Sequence, residues 1–234
     1  MVMVASEKSG GKSAHMEFLR LNPFFAGLDD DVLEKIDRLS VARMVEKNEI
    51  IWLEQAPAKM VYFVVSGLVK LFLTSPAGRE QILRLARPGD CFGHAGAFNG
   101  GSNPESAQAV VPSLLYGISR TDLQALLKEH PQLALNTVTV LTTEMHHYMS
   151  LVEDLSLRCV SERLARMLLL YGNENGSDTS HVLTRTDMAA MTGTVREVVG
   201  KSLKALEEKG VIVCDGHKII IRDSLALRAL ACAP

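Results

Sequence analysis

The tract at residues 183–212, LTRTDMAAMTGTVREVVGKSLKALEEKGVI, constrains this chain more than any other stretch. It predicts two short helices with a tight turn between them. Thr186 and Asp187 can cap the first, whose apolar residues are Met188, Ala189 and Met191. Gly193 stands at the turn, where a residue free to take positive φ is useful. Thr194 offers a hydroxyl as N-cap of the second helix, and Glu197 three residues later completes a capping-box pattern. Val195, Val198, Val199, Leu203 and Leu206 then recur at helical spacing, so one face should pack inward. Arg196, Glu197, Lys201 and Lys204 are left on or near the other face. Gly210 ends the helix, and apolar Val211, Ile212 and Val213 follow.

This is the pattern of a helix-turn-helix, whose second helix enters a major groove N-terminus first. The fork of Arg196 matches guanine O6 and N7, and Glu197 can accept from a cytosine amino group. Lys201, one turn on, can reach a base or a phosphate. Arg185, Thr194 and Val195 flank them as further DNA-contact candidates. Charge spacing alone favours a plain helical hairpin with a solvated face; the capped, glycine-turned order reverses that preference.

Composition sets weaker bounds. The chain has 234 residues, enough for two small domains. Its formal net charge of −2 does not announce a nucleic-acid partner. The charge is uneven, however: residues 158–234 hold 11 Lys/Arg against 9 Asp/Glu, and residues 1–157 hold 14 against 18. No apolar run is long enough to span a bilayer, and the N-terminus lacks the apolar segment of a secretory signal. A cytoplasmic protein with reduced thiols is therefore expected. Cys91, Cys159, Cys214 and Cys232 are too scattered for a zinc site or an iron–sulfur cluster, which want grouped thiolates. No nucleophile–base set, motif of paired carboxylates or phosphate loop suggests an enzyme. Gly11-Lys12-Ser13 resembles the end of a phosphate loop, but Ser6 replaces the leading glycine and no strand precedes it.

Taken in order, residues 1–16 are Ser/Gly/Lys-rich and read as a disordered tail. Helical material follows, including Val32, Leu33, Ile36 and Leu39 on one side. From Val41 the period changes. Short β-type runs are expected at 41–45, 49–54, 60–65, 68–74, 80–85, 107–111 and 114–118. Turn signals separate them at Pro57, Ser66-Gly67, Pro76-Ala77-Gly78, Arg87-Pro88-Gly89-Asp90 and Pro112-Ser113. Such spacing argues for an antiparallel roll or barrel. A helix at 121–129 precedes a long one from Pro131 to about Leu155. On it Val138, Leu141, Met145, Tyr148, Val152 and Leu155 step by 3, 4, 3, 4, 3 residues, which is the seam of a coiled coil. A hinge is expected at 156–159, a further helix at 160–171, a polar loop at 172–180, and a β-wing from 211–214 and 218–222 joined by Asp215-Gly216.

The tract TRTDMAAMTGTVREVVGKSLKALEEKGVI resembles the winged helix of the Crp/Fnr superfamily of bacterial transcription regulators, ungapped through R-E-x-V-G-K at residues 196–201. The runs K-N-E-I-I-W-L-E-Q, V-Y-F-V-V-S-G-L-V-K-L-F, S-P-A-G-R-E and R-P-G-D-C-F-G resemble the β-roll of the same superfamily, with Gly67, Gly78 and Gly89 where the family turns. The resemblance covers roughly residues 20–225. It implies an α+β chain: a tail at 1–16, a cyclic-nucleotide-binding-type β-roll at 17–130, a dimerisation helix and hinge at 131–157, and a winged helix-turn-helix at 158–234. It also implies a homodimer reading a palindrome with the Arg–Glu pair, and contact with RNA polymerase. Val195 departs from the family, which commonly has a small polar residue there.

The sensor departs further. The cyclic-AMP branch uses F-G-E followed by an R-S or R-T pair that holds the cyclic phosphate. This chain has Phe92-Gly93-His94, then Pro104-Glu105-Ser106-Ala107. A carboxylate repels a phosphate, so cyclic AMP is not the expected effector. His94, Glu105 and Ser106, with Met145, Tyr148 and Met149 from the long helix, are the candidate effector residues. Family members without cysteine clusters include haem-based sensors of carbon monoxide or nitric oxide, and SAQAVVPS is similar to nitric-oxide-responsive members. His94 and Cys91 are accordingly candidate haem ligands, with His146 and His147 nearby on the long helix. Alternatives stay open: a small organic or other non-nucleotide effector, no ligand at all, or a ligand-binding subunit that regulates a partner protein. The plain reading of the histidines is that His94 hydrogen-bonds in a polar pocket and His146 and His147 are solvated.

Overall fold

The computed structural model describes residues 7–171, 183–215 and 218–231. The chain forms two compact units, residues 1–71 with 85–146 and residues 72–84 with 147–234.

In the first unit, α1 (Glu7–Leu21) and α2 (Asp30–Leu39) precede the strands β1 (Val41–Val45) and β2 (Ile50–Trp52). Two long strands follow, β3 (Met60–Thr74) and β6 (Ser106–Ser119), with β4 (Glu80–Ala86), β5 (Cys91–Phe92) and the short helix α3 (His94–Asn99) between them. The sheet runs β1-β6-β3-β4, with β2 also on β6 and β5 also on β3. The pairs β1–β6, β2–β6 and β3–β5 are antiparallel. Strand β3 is buried on both sides. Val61 and Phe63 join a cluster with Phe24, Phe25, Ile36 and Leu123 from the helical side. Tyr62 and Val64 join Val69, Leu71, Phe92 and Leu115 inside the roll. A strand covered on both faces reads as a continuous apolar run, which is why V-Y-F-V-V shows no alternation.

Two expectations need correction. Residues 1–16 were expected to be a disordered tail, but α1 begins at Glu7. His15 is buried, with Nδ1 2.5 Å from the Asp37 carboxylate and its ring against Tyr116. Met16, Phe18 and Leu19 pack on the helical core, and that apolar anchor orders a segment whose composition is polar. Ser66-Gly67 and Pro112-Ser113 were expected to be chain reversals, but each lies inside one continuous strand. The two irregular positions face each other. Gly67 takes φ +98°, and a Cβ there would fall 2.1 Å from Ser113 Oγ. That hydroxyl accepts from the Leu68 N–H at 3.0 Å and donates to the Val111 carbonyl at 2.8 Å. A bulge-like position inside a ladder thus carries the same residue types as a turn.

After β6 come α4 (Arg120–Glu129) and α5 (Pro131–Leu157), close to expectation. The compact units part within α5, between residues 146 and 147. The second unit also holds α6 (Val160–Tyr171), α7 (Arg185–Thr192), α8 (Arg196–Glu208), the hairpin β7 (Ile212–Asp215) and β8 (Lys218–Ile221), and α9 (Ser224–Ala231), which the sequence reading missed. Its core gathers Leu164, Leu168, Met188, Val199, Leu203, Ile212 and Leu227. The helix break expected over 156–159 narrows to Arg158 and Cys159. The polar loop expected at 172–180 and Gly216 of the wing lie outside the described residues.

Gly67→Ala should lose stability through positive φ, ~1–3 kcal/mol, and further through displacement of Ser113. Gly78→Ala, at φ +78° with nothing within 4 Å of its Cβ, should show the φ penalty alone. Urea unfolding of both variants checks this, and equal losses would refute the packing role given to Gly67.

Candidate functional site

The DNA-facing candidates are set by the second unit's helix pair. Helix α7 starts with a capping box on Thr184, two residues before the expected Thr186. Thr184 Oγ1 accepts from the Asp187 N–H at 3.1 Å, and the Asp187 carboxylate accepts from the Thr184 N–H at 2.9 Å. Gly193 ends α7 at φ +63°. A Cβ there would also fall 2.6 Å from the Leu155 side chain, so the glycine is required for close approach as well as for conformation.

Helix α8 corrects a second cap. The expected Thr194–Glu197 box is absent: Val195 is the N-cap residue, and no side chain caps the helix. Thr194 instead sits inside the turn, its N–H donating to the Ala189 carbonyl at 3.0 Å. Val195 was expected on the inward face but is 51% exposed. The buried stripe narrows to Val199, Leu203 and Leu206, with Val198 half-buried. Arg196 occupies the first position of α8, and Arg196, Glu197, Lys201 and Lys204 are all exposed. Arg185, also exposed, opens α7, and its Nη1 would lie 4.0 Å from a Cβ on Gly200. The fold therefore brings Arg185 beside α8, with Val195, Arg196 and Glu197 grouped at that helix's start.

The sensor candidates are more divided. Gly93 precedes α3 at φ +85°, and a Cβ there would meet the Met60 carbonyl and Trp52 at 2.9 Å. That tight turn places His94 at the start of α3, only 4% exposed. Its Nε2 lies 2.6 Å from the Glu144 carboxylate, and its Nδ1 lies 3.7 Å from Cys91 Sγ. Glu144, fifty residues away in sequence, escaped the sequence reading, and no local signal marks it. Burial works against a charged His94 ring, but the hydrogen bonds to Cys91 and Glu144 outweigh it and push the ring up to about 10. Nε2 is thus engaged by Glu144, and Nδ1 faces Cys91 Sγ. Among the described residues, no group of three or more His, Cys, Asp and Glu is positioned to hold a metal ion.

Glu105 and Ser106 are buried at the entry to β6. The Glu105 carbonyl accepts from Trp52 Nε1 at 2.9 Å, and Ser106 Oγ accepts from the Glu54 N–H at 2.9 Å. Met145 is exposed on the part of α5 that belongs to the first unit. Tyr148 and Met149 belong to the second unit, Met149 exposed and Tyr148 half-buried. His147 Nε2 lies 2.9 Å from the Leu83 carbonyl, and His146 is exposed.

A β-roll followed by a long helix and a winged helix-turn-helix defines a regulator with a sensing domain and a DNA-binding domain. Comparison with known proteins narrows this class. The cyclic nucleotide-binding domain family matches residues 42–130, and the Crp-like helix-turn-helix domain family matches residues 162–230. The probable transcriptional regulator flp of Lacticaseibacillus casei is 30% identical over 200 residues, covering 85% of this chain and 91% of that protein. The CRP-like cAMP-activated global transcriptional regulator of Mycobacterium tuberculosis is 26% identical over 221 residues, covering 91% and 99%. The structure of FixK2 from Bradyrhizobium japonicum matches with a TM-score of 0.76 at 26% identity, covering 83% of this chain and 98% of that one. The chain belongs to the Crp/Fnr family of transcription regulators. No helix among the described residues is long and apolar enough to cross a membrane.

The His94 pair has a pH signature. Because the folded ring titrates above its ordinary value of 6.5, its contribution to stability is whole below about pH 6.5 and is lost as pH rises through about 10. Urea unfolding from pH 6 to 10 should show wild type losing stability relative to His94→Gln. Parallel profiles for the two proteins would count against a charged ring.

Proposed function

We propose that the chain is a homodimeric, sequence-specific DNA-binding regulator that reads an inverted repeat and answers to an effector other than cyclic AMP. The observation that carries the dimer is the outer face of α5. Val138, Met145 and Val152 are 58%, 52% and 64% exposed, and Leu141 and Leu155 lie on the same seam. A 3.5-residue apolar repeat left uncovered in one chain is what a parallel partner helix covers. Two-fold pairing then presents two copies of α8 about one DNA turn apart, ~34 Å.

Arg196 and Glu197 supply the base-reading groups, and Lys201 neutralises phosphate or reaches a further base. The uncapped start of α8 supports this use, because N–H groups with no side-chain cap suit a DNA phosphate. Arg185 stands beside them as a backbone contact.

The sensor's chemistry supports the exclusion of cyclic AMP. Glu105, a buried carboxylate, occupies the position where the family's phosphate-binding arginine is expected, and an unshielded phosphate beside it is repelled. The mycobacterial relative's cyclic-AMP activation therefore does not transfer here. The effector is a non-nucleotide ligand whose binding biases α5 and, through the break at Arg158 and Cys159, the DNA-binding helices.

Arg196→Ala should cost ~1–3 kcal/mol on the selected inverted repeat and relax discrimination at one base pair per half-site. Fluorescence anisotropy against single-base operator variants reads this. A uniform loss across all sequences would reassign Arg196 to the DNA backbone. Titration calorimetry with cyclic AMP should give no saturable heat, and tight binding would overturn the effector assignment.

A further inference from the structure

A cleft of about 80 Å³ lies wholly within the second unit, bordered by β4, the C-terminal half of α5, α6 and the end of α7. Arg163 and Arg166 line it on α6, against one carboxylate, from Asp154. That carboxylate is already shared. Its Oδ1 lies 3.0 Å from Arg166 Nε and 3.1 Å from Arg158 Nε. It is therefore engaged by Arg166 and Arg158, and among the described residues no ion pair holds Arg163.

Of these two lining guanidinium groups, Arg163 has the fewer hydrogen bonds among the described residues. Its Nε has no hydrogen-bond partner among the described residues, and its Nη1 has the Leu155 carbonyl at a long 3.5 Å. A guanidinium with one long hydrogen bond among the described residues keeps terminal N–H groups for an anion. Leu151, Met167 and Leu170 form apolar walls, which strengthen any charge pair formed inside. Ser150 Oγ, already accepting from Arg166 Nη2 at 3.0 Å, still has a proton to donate. The space is about half of the ~150 Å³ that admits a benzene ring, which suits a small guest.

We propose that this cleft is a binding site for a small tetrahedral oxyanion of the phosphate class, held by the Arg163 and Arg166 forks. The site is separate from the β-roll effector residues and from the DNA-reading face of α8. It stands on this cleft's geometry and not on the effector assignment. An anion here would bridge β4, α5 and α6, and would stabilise the arrangement they now share.

The test is thermal unfolding of the full chain in inorganic phosphate, with sodium chloride as the ionic-strength control. The expected result is a saturable rise in Tm with phosphate and none with chloride. Arg163→Gln should abolish that rise, Arg163→Lys should keep part of it, and Arg196→Ala should keep all of it. The last variant separates this cleft from phosphate bound at the DNA-contacting surface. Circular dichroism in chloride establishes that each variant is folded. A wild-type Tm that responds no more to phosphate than to chloride overturns the proposal whatever the variants do. So does a full phosphate response in folded Arg163→Gln, or a response lost in Arg196→Ala.

Discussion

One helix carries two seams of the same period, and the structure depends on their being kept apart. On α5, Leu133, Thr137, Val140, Glu144, His147, Leu151 and Asp154 step by 4, 3, 4, 3, 4, 3 residues. This inner stripe meets the chain's own groups: Leu133 and Val140 pack on the helical core, Glu144 holds His94, His147 meets the Leu83 carbonyl, and Asp154 pairs with Arg158 and Arg166. The outer stripe, from Val138 to Leu155, carries no charged group. A single 3.6-residue period can serve both because the two sets are offset by one residue, about 100° around the helix.

The division of chemistry between the stripes has an energetic reason. A polar group withdrawn from water must be paired, and its partner must be fixed within one chain for the pairing to survive. The inner stripe satisfies that condition because its partners are covalently part of the same molecule. An outer stripe with no partner in its own chain is better made of Val, Leu and Met, which lose no hydrogen bonds when uncovered. The buried His94–Glu144 pair ties the start of α3 to α5 in the same way. Disturbing either member leaves the other buried beside an apolar core, a cost of several kcal/mol.

Much of this was legible in the sequence where the determinant is local. Gly193, the Arg196–Glu197 dipeptide and the outer seam of α5 each declare themselves within a few residues. The boundaries of α6 follow from its apolar period and match the structure at both ends. The inner seam was missed because it mixes Leu with Glu, His and Asp, so its hydrophobic period is faint. Gly67 and Ser113 were misread because a glycine opposite a small hydroxyl looks the same at a turn as at a crossing point of two long strands. Thr184 and Thr194 show the limit in capping: both have an acidic residue three positions on, yet only Thr184 forms the box. Thr194 is held in the turn by its own N–H, which fixes the backbone one residue short of where its hydroxyl could act.

The sensor was the least legible part, and the reason is distance along the chain. His94 admits two readings, as a metal ligand or as a hydrogen-bonded core residue, and its neighbours bear on both. Cys91 is local, but Glu144 comes from a helix fifty residues later. A carboxylate at 2.6 Å engages one ring nitrogen and leaves the tautomer to set the role of the other. No motif in the β-strands encodes that contact. Relatives that share the fold can differ in effector while keeping the same strands, the same turn glycines and the same recognition helix.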